Sequence, residues 1–130
     1  MPVRRPKDEQ GGYGGDRQIQ DKKRRKYTMK YLVIGNPNLT PIPPELAVNI
    51  YKAAIAWMDE RLKNGKLDFH YIFAERGGFV IANVNSPEEL FDEMLSYPLY
   101  PFFDWEVKAL VEWKHGYNSI IDLYKRMGSK

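Results

Sequence analysis

From Met29 onward the apolar positions change period several times, and each change marks an element. Residues 30–35 (KYLVIG) form a short apolar run ended by the turn cluster Gly35-Asn36-Pro37-Asn38, the pattern of a buried strand. Prolines 41, 43 and 44 stop any strand, and proline is tolerated in a first helical turn, where its missing N–H would lack a partner anyway. Leu46, Ala47, Ile50, Ala54, Trp57, Met58 and Leu62 then recur at helical spacing as far as Gly65, a residue suited to closing a helix. Residues 67–75 (LDFHYIFAE) alternate instead, with Phe69, Tyr71 and Phe73 on one face and Asp68, His70, Ile72 and Ala74 on the other. Arg76-Gly77-Gly78 turns the chain into 79–84 (FVIANV), apolar on both faces like a central strand, so 67–84 is predicted to be an antiparallel hairpin.

Ser86-Pro87-Glu88-Glu89 has the form of a capping box: Ser86 can accept from the Glu89 N–H while Glu89 reaches back, and Pro87 occupies the first helical position. The helix it opens buries Leu90, Met94 and Leu95 and ends near Tyr97, before Pro98. Alternation returns from Phe102 to Trp113. Phe103, Trp105, Val107, Ala109, Val111 and Trp113 share one face; Asp104, Glu106, Lys108 and Glu112 share the other, interrupted by Leu110. Tyr117, Ile120, Ile121, Tyr124 and Met127 mark a C-terminal amphipathic helix. The order predicts an α+β fold: a ferredoxin-like βαββαβ unit with a four-stranded antiparallel sheet, helices on one face, and an extra C-terminal helix. The other sheet face must be solvated or covered, and the 14% aromatic content argues for a partner.

The net charge of +3 changes meaning once it is divided along the chain. Residues 1–28 hold nine Lys/Arg against four acids, a net +5, and the remaining 102 residues carry −2. The basic character therefore belongs to a glycine- and proline-containing tail, 1–28, too poor in aliphatics to offset its ordering entropy, followed by one domain at 29–130. "KKRRK" at 22–26 offers phosphates a polybasic arm, yet only Tyr27 supplies an aromatic platform, so nucleic acid is not expected as a partner and a solvated tail is the simpler reading. A further hypothesis places the natural start at Met29: Arg24-Arg25 can be encoded AGG-AGG, a ribosome-binding sequence, three codons upstream of it. Intact mass of the protein from its source organism decides this, and a species beginning at Met1 sinks the idea. Without cysteine the chain has neither disulfides nor thiolate ligands. No apolar run is long enough to span a membrane and no secretory apolar segment follows the basic N-terminus, so a soluble, cytoplasmic protein is expected.

Three segments together carry a family likeness. Ser86-Pro87-Glu88-Glu89-Leu90, Pro98-Leu99-Tyr100-Pro101-Phe102 and Asp104-Trp105-Glu106-Val107-Lys108-Ala109-Leu110 resemble the muconolactone isomerase family, with its Ser-x-acid-Glu-Leu helix start, Leu-Pro-Leu-aromatic-Pro run and acid-x-Glu-Val-x-x-Leu strand. The spacing is gap-free from Ser86 to Leu110, and the likeness is architectural over 29–115. It implies a dimeric α/β barrel, two protomers pressing their sheets together as a homodimer or within a larger ring, and cofactor-free proton relocation in an unsaturated lactone. Tyr97 stands where the family has leucine and Trp105 where it has a smaller aliphatic, and the C-terminal helix and tail are additions. Such differences near a pocket alter which substrate fits and leave the fold intact.

Isomerisation of a lactone requires a base for a proton beside the carbonyl and a group that stabilises the enolate, both within reach of one small ligand. His70, Asp68, Asp104, Glu106 and Lys108 share the polar parity of two strands that flank each other in some versions of this sheet, which would gather them. His70 or Glu106 is then the catalytic base, and Asp68, Asp104 and Lys108 contact substrate. Each has a plainer reading: Glu106 and Lys108 as a same-strand ion pair satisfied across a dimer, His70 as a hydrogen-bonded strand histidine. The proline run contains no titratable side chain, so the likeness speaks more for fold than for catalysis. Two histidines, His70 and His115, on separate strands without a matching acid-histidine motif give no reason to expect a metal, and no cofactor is implied. "ERGGF" joins two strands and is too short to cradle phosphate. Trp57, Trp105 and Trp113 fit core positions. Two functions follow: a muconolactone isomerase-like enzyme acting on a small carbonyl compound, favoured by a polar cavity with His70 or Glu106 in its wall, or a non-catalytic ligand-binding or regulatory module, favoured by an apolar one.

Overall fold

The computed structural model describes residues 27–128; the predicted basic tail, apart from Tyr27 and Thr28, lies outside the described residues. The elements are β1 (Met29–Pro37), α1 (Pro44–Lys63), β2 (Leu67–Ile72), β3 (Gly78–Val84), α2 (Pro87–Ser96), β4 (Phe103–Leu110) and α3 (Trp113–Gly128), with a three-ten turn at Tyr100–Phe102. The strands form one antiparallel sheet in the order β2-β3-β1-β4. The predicted α+β, ferredoxin-like order is what the chain adopts.

Local chemistry accounts for the boundaries. Pro44 opens α1, the Asn64 N–H donates to the Glu60 carbonyl at its end, and Gly65 takes the left-handed conformation (φ 85°) that lets the chain leave. At α2 the Ser86 hydroxyl accepts from the Glu89 N–H at 3.1 Å, while the Glu89 carboxylate accepts from the Asn85 N–H at 3.0 Å. The cap is reciprocal but displaced by one residue from a simple capping box. Val33, Met58, Leu67, Ala82, Val84 and Leu90 form the core between helices α1 and α2 and one sheet face.

The last strand is shorter than its alternation predicts. Leu110 pairs with Lys30, one residue from the start of β1 at Met29, so beyond Leu110 almost no ladder is left to join. Glu112 instead caps α3, accepting from the N–H groups of Lys114 (3.1 Å) and His115 (2.9 Å). Those backbone bonds hold its carboxyl below the usual range. Trp113 consequently starts a helix and is 62% exposed, a correction to its expected core place. No residue of α3 is buried, and Tyr117, Ile120, Ile121 and Tyr124 lie open on it. Among the described residues no helix is long and apolar enough to cross a membrane.

Candidate functional site

A cavity of about 410 Å³ lies between the sheet and the two helices that cover it. Its wall is mainly apolar, with Val33, Met58, Val80 and Leu99 together with Trp57 and Trp105. Trp105 reaches it because β1 opposes it with glycine: a Cβ on Gly35 would stand 2.6 Å from the indole Cζ3. The Trp105 Nε1–H donates to the Tyr100 carbonyl at 3.1 Å, and the Tyr100 ring stacks on it at 6.0 Å and 9°. The aromatic, proline-rich connection from α2 to β4 thus clamps a cavity-lining tryptophan. Across the cavity the Trp57 Nε1–H donates to the Ser96 hydroxyl at 3.0 Å, joining α1 to α2. Tyr97 sits between the two indoles, 4.8 Å from Trp57 and 6.0 Å from Trp105 by ring centroids. Burial, reinforced by the neighbouring Tyr51, pushes the Tyr97 phenol up, so it remains a protonated donor at neutral pH.

His70 enters the wall through a break in β2. The β2–β3 register shifts between Asp68 and Tyr71, and Phe69 takes a left-handed backbone (φ 43°), an uncommon state for a bulky residue. Leu67 pairs with Ala82 and Ile72 with Gly78 on the cavity side, whereas Asp68 pairs with Ile81 on the other. The extra residue carries His70 to the cavity and away from the face of Asp68, overturning the predicted alternation. Its Nδ1 lies 3.2 Å from the Phe79 carbonyl. A carbonyl only accepts, so Nδ1 carries the proton in the neutral ring and Nε2 keeps the lone pair.

The other predicted site residues are not gathered with it. β2 and β4 are opposite edges of the sheet, with two strands between them. Asp104, Glu106 and Lys108 pair with Asn36, Ile34 and Leu32, on the face away from the cavity. The Lys108 Nζ to Glu106 Oε2 distance is 3.2 Å, with both side chains more than half exposed, which is the plain same-strand pair. Asp68 is 5% exposed and is held at its Oδ2 by the Lys30 Nζ and the Asn83 Nδ2, each at 3.0 Å. Asn83 also donates to the Gly65 carbonyl at 2.9 Å, so the cluster pins β2, β3 and the end of α1. The convergence of five polar residues predicted from parity is therefore replaced by one cavity residue, one structural carboxylate and an outer-face group.

Other cavity residues escaped the sequence reading: Tyr51, Tyr97, Arg76, Lys66 and Glu93 also line it. Tyr97 left a trace as a tyrosine where the resembled family has leucine; the rest carried no signal, because the helices α1 and α2 and the loops either side of β2 show their inward residues only once folded. Glu93 accepts from Arg61 and, at 3.2 Å, from Lys66. Burial raises its pKa, but these cations outweigh burial and hold the carboxyl below its ordinary value. Among the described residues no three His, Asp or Glu side chains gather as metal ligands.

The fold matches that of muconolactone isomerase, solved by crystallography at 3.3 Å, with a TM-score of 0.59 and 21% identity over 65% of this chain and 90% of that one. No protein-family model and no curated protein matches the chain.

Proposed function

Starting from a fold shared with muconolactone isomerase, we propose that this protein is a homodimeric, cofactor-free enzyme that relocates a proton in a small, flat carbonyl compound held in the cavity beside His70 and Tyr97. One observation carries the reading: the β2 bulge places a tautomer-fixed histidine in an otherwise largely apolar cavity. His70 Nε2 takes the proton beside the carbonyl and returns it at the conjugated carbon. Tyr97 supports the developing enolate oxygen as a donor that stays protonated. The apolar wall binds such a ligand by the area it buries. The homodimer rests on the outer sheet face, where Leu32, Ile34 and Ile81 are only half-buried, and on the uncovered apolar side of α3.

The test is solvent exchange. Incubation in D₂O with a panel of unsaturated lactones and phenolic acids is expected to load deuterium beside the carbonyl of at least one compound. The apolar wall supports a second reading, a binding module on the same fold. Compounds that bind, seen as a raised melting temperature, without any exchange across the panel would replace the enzyme with that module. Light scattering is expected to give twice the chain mass; a monomer at micromolar concentration would contradict the homodimer.

A further inference from the structure

An exposed sheet edge is a row of unpaired backbone groups, and a bulge is one of the devices that keeps a second strand from adding to it. β2 has that guard: its register shifts between Asp68 and Tyr71. β4 does not. It pairs with β1 without a break from Phe103 to Leu110, and from Asp104 to Leu110 its far side makes no backbone hydrogen bond among the described residues. Its apolar side is open too. Val107 pairs with the buried Val33 on the face that the helices cover, yet it is 42% exposed, because α1 packs against β2 and α2 against β3.

A strand that pairs with a second copy of itself about a two-fold axis must be complementary to its own reverse. Centred on Val107, β4 meets that condition. Glu106 then opposes the partner's Lys108, and Lys108 the partner's Glu106, on the outer face; Trp105 opposes the partner's Ala109, large against small, on the other. Neighbouring registers fail on charge. Centred on Glu106, that carboxylate opposes its own copy; centred on Trp105, Asp104 opposes a glutamate; centred on Lys108, two ammonium groups meet. Within one protomer Glu106 and Lys108 already lie 3.2 Å apart, so pairing about Val107 assembles four charges of alternating sign. An isolated exposed ion pair contributes little, whereas a network of several does contribute.

We propose that β4 is a second self-association surface, through which two copies of the chain join edge to edge, antiparallel and in register about Val107, into one continuous eight-stranded sheet. This goes beyond the homodimer proposed above. Edge pairing covers neither face of the sheet, so the outer face stays free for that contact. A strand edge is also a smaller interface than a sheet face, so it joins homodimers only as concentration rises.

The chain has no cysteine, so a single introduced one reports what lies opposite it. Mild oxidation of full-length Val107→Cys at submillimolar concentration is expected to link most chains into disulfide dimers, since opposed residues of an antiparallel pair lie about 4.5–5.5 Å apart, within disulfide reach. Ala109→Cys, on the same strand and face, should link at least about tenfold more slowly, because its own copy stands four residues along the partner strand, about 13 Å away. Light scattering gives a readout independent of cysteine. The mass of the native chain should rise above that of its homodimer between micromolar and submillimolar concentration. Glu106→Lys, which sets like charges opposite each other, should remove the rise, and combining it with Lys108→Glu should restore it. If Val107→Cys links no faster than Ala109→Cys, or the native rise is missing or survives in Glu106→Lys, the edge proposal is overturned while the cavity and the homodimer stand. Fast linking of Val107→Cys in a chain that is monomeric at micromolar concentration keeps the edge and overturns the homodimer.

Discussion

The two edge strands of the sheet dispose of their polar residues in opposite ways. β4 alternates without interruption, sending Trp105 into the cavity and Glu106 and Lys108 to the outer face, where they pair with each other. β2 breaks step at Phe69 and turns His70 inward, leaving Asp68 on the far side. Regular alternation on an amphipathic strand keeps charge in water. Bringing a titratable group to the apolar side takes an irregularity, and irregular backbone concentrates where function needs it.

The largest effect that could break this contrast lies in exchange activity. His70→Gln should slow deuterium loading on the order of 100-fold or more, the range for losing a general base, while Glu106→Gln should change it less than twofold. Equal losses would put the outer face back in the chemistry. Next comes stability. Asp68→Ala removes the acceptor of Lys30 and Asn83 and is expected to cost about 2 kcal/mol in urea unfolding, with Lys108→Ala below about 0.5 kcal/mol because its pair is solvated. Similar values would mean that Asp68 is not structural.

Much of the fold was legible because strand, turn and cap signals agree locally. The Gly35–Pro37 stop, the Pro44 start and the Ser86 cap each sit within a residue or two of the observed boundaries. The site was less so. Alternation assumes an unbroken register, and nothing in LDFHYIF announces that Phe69 adopts positive φ. The order of strands is tertiary information as well, so equal parity on β2 and β4 could not reveal that two strands separate them. Glu112 misled for a different reason: a polar residue in alternation looks the same whether it faces water or caps the next helix.

Smaller effects sharpen the account of the cavity. Gly35→Ala forces the Trp105 indole to move and should cost about 1–2 kcal/mol, with a shift in tryptophan emission; unchanged emission would mean that the indole does not lie over β1. Glu93 has a folded-state pKa below its unfolded one, so its contribution to stability is present above the unfolded value and lost as pH falls through the folded one. Melting temperature should therefore decline between about pH 5 and pH 3, and more shallowly in Glu93→Gln; parallel profiles would remove Glu93 from the balance.

The central claim is that the working face of the sheet is the one His70 has been turned toward. A crystal structure with the tightest-binding compound of the panel tests it directly. Ligand in the cavity between the sheet and helices α1 and α2, with an atom within hydrogen-bond reach of His70 Nε2, is the predicted result. Ligand on the outer face beside Glu106 and Lys108, with the cavity unfilled, would contradict it.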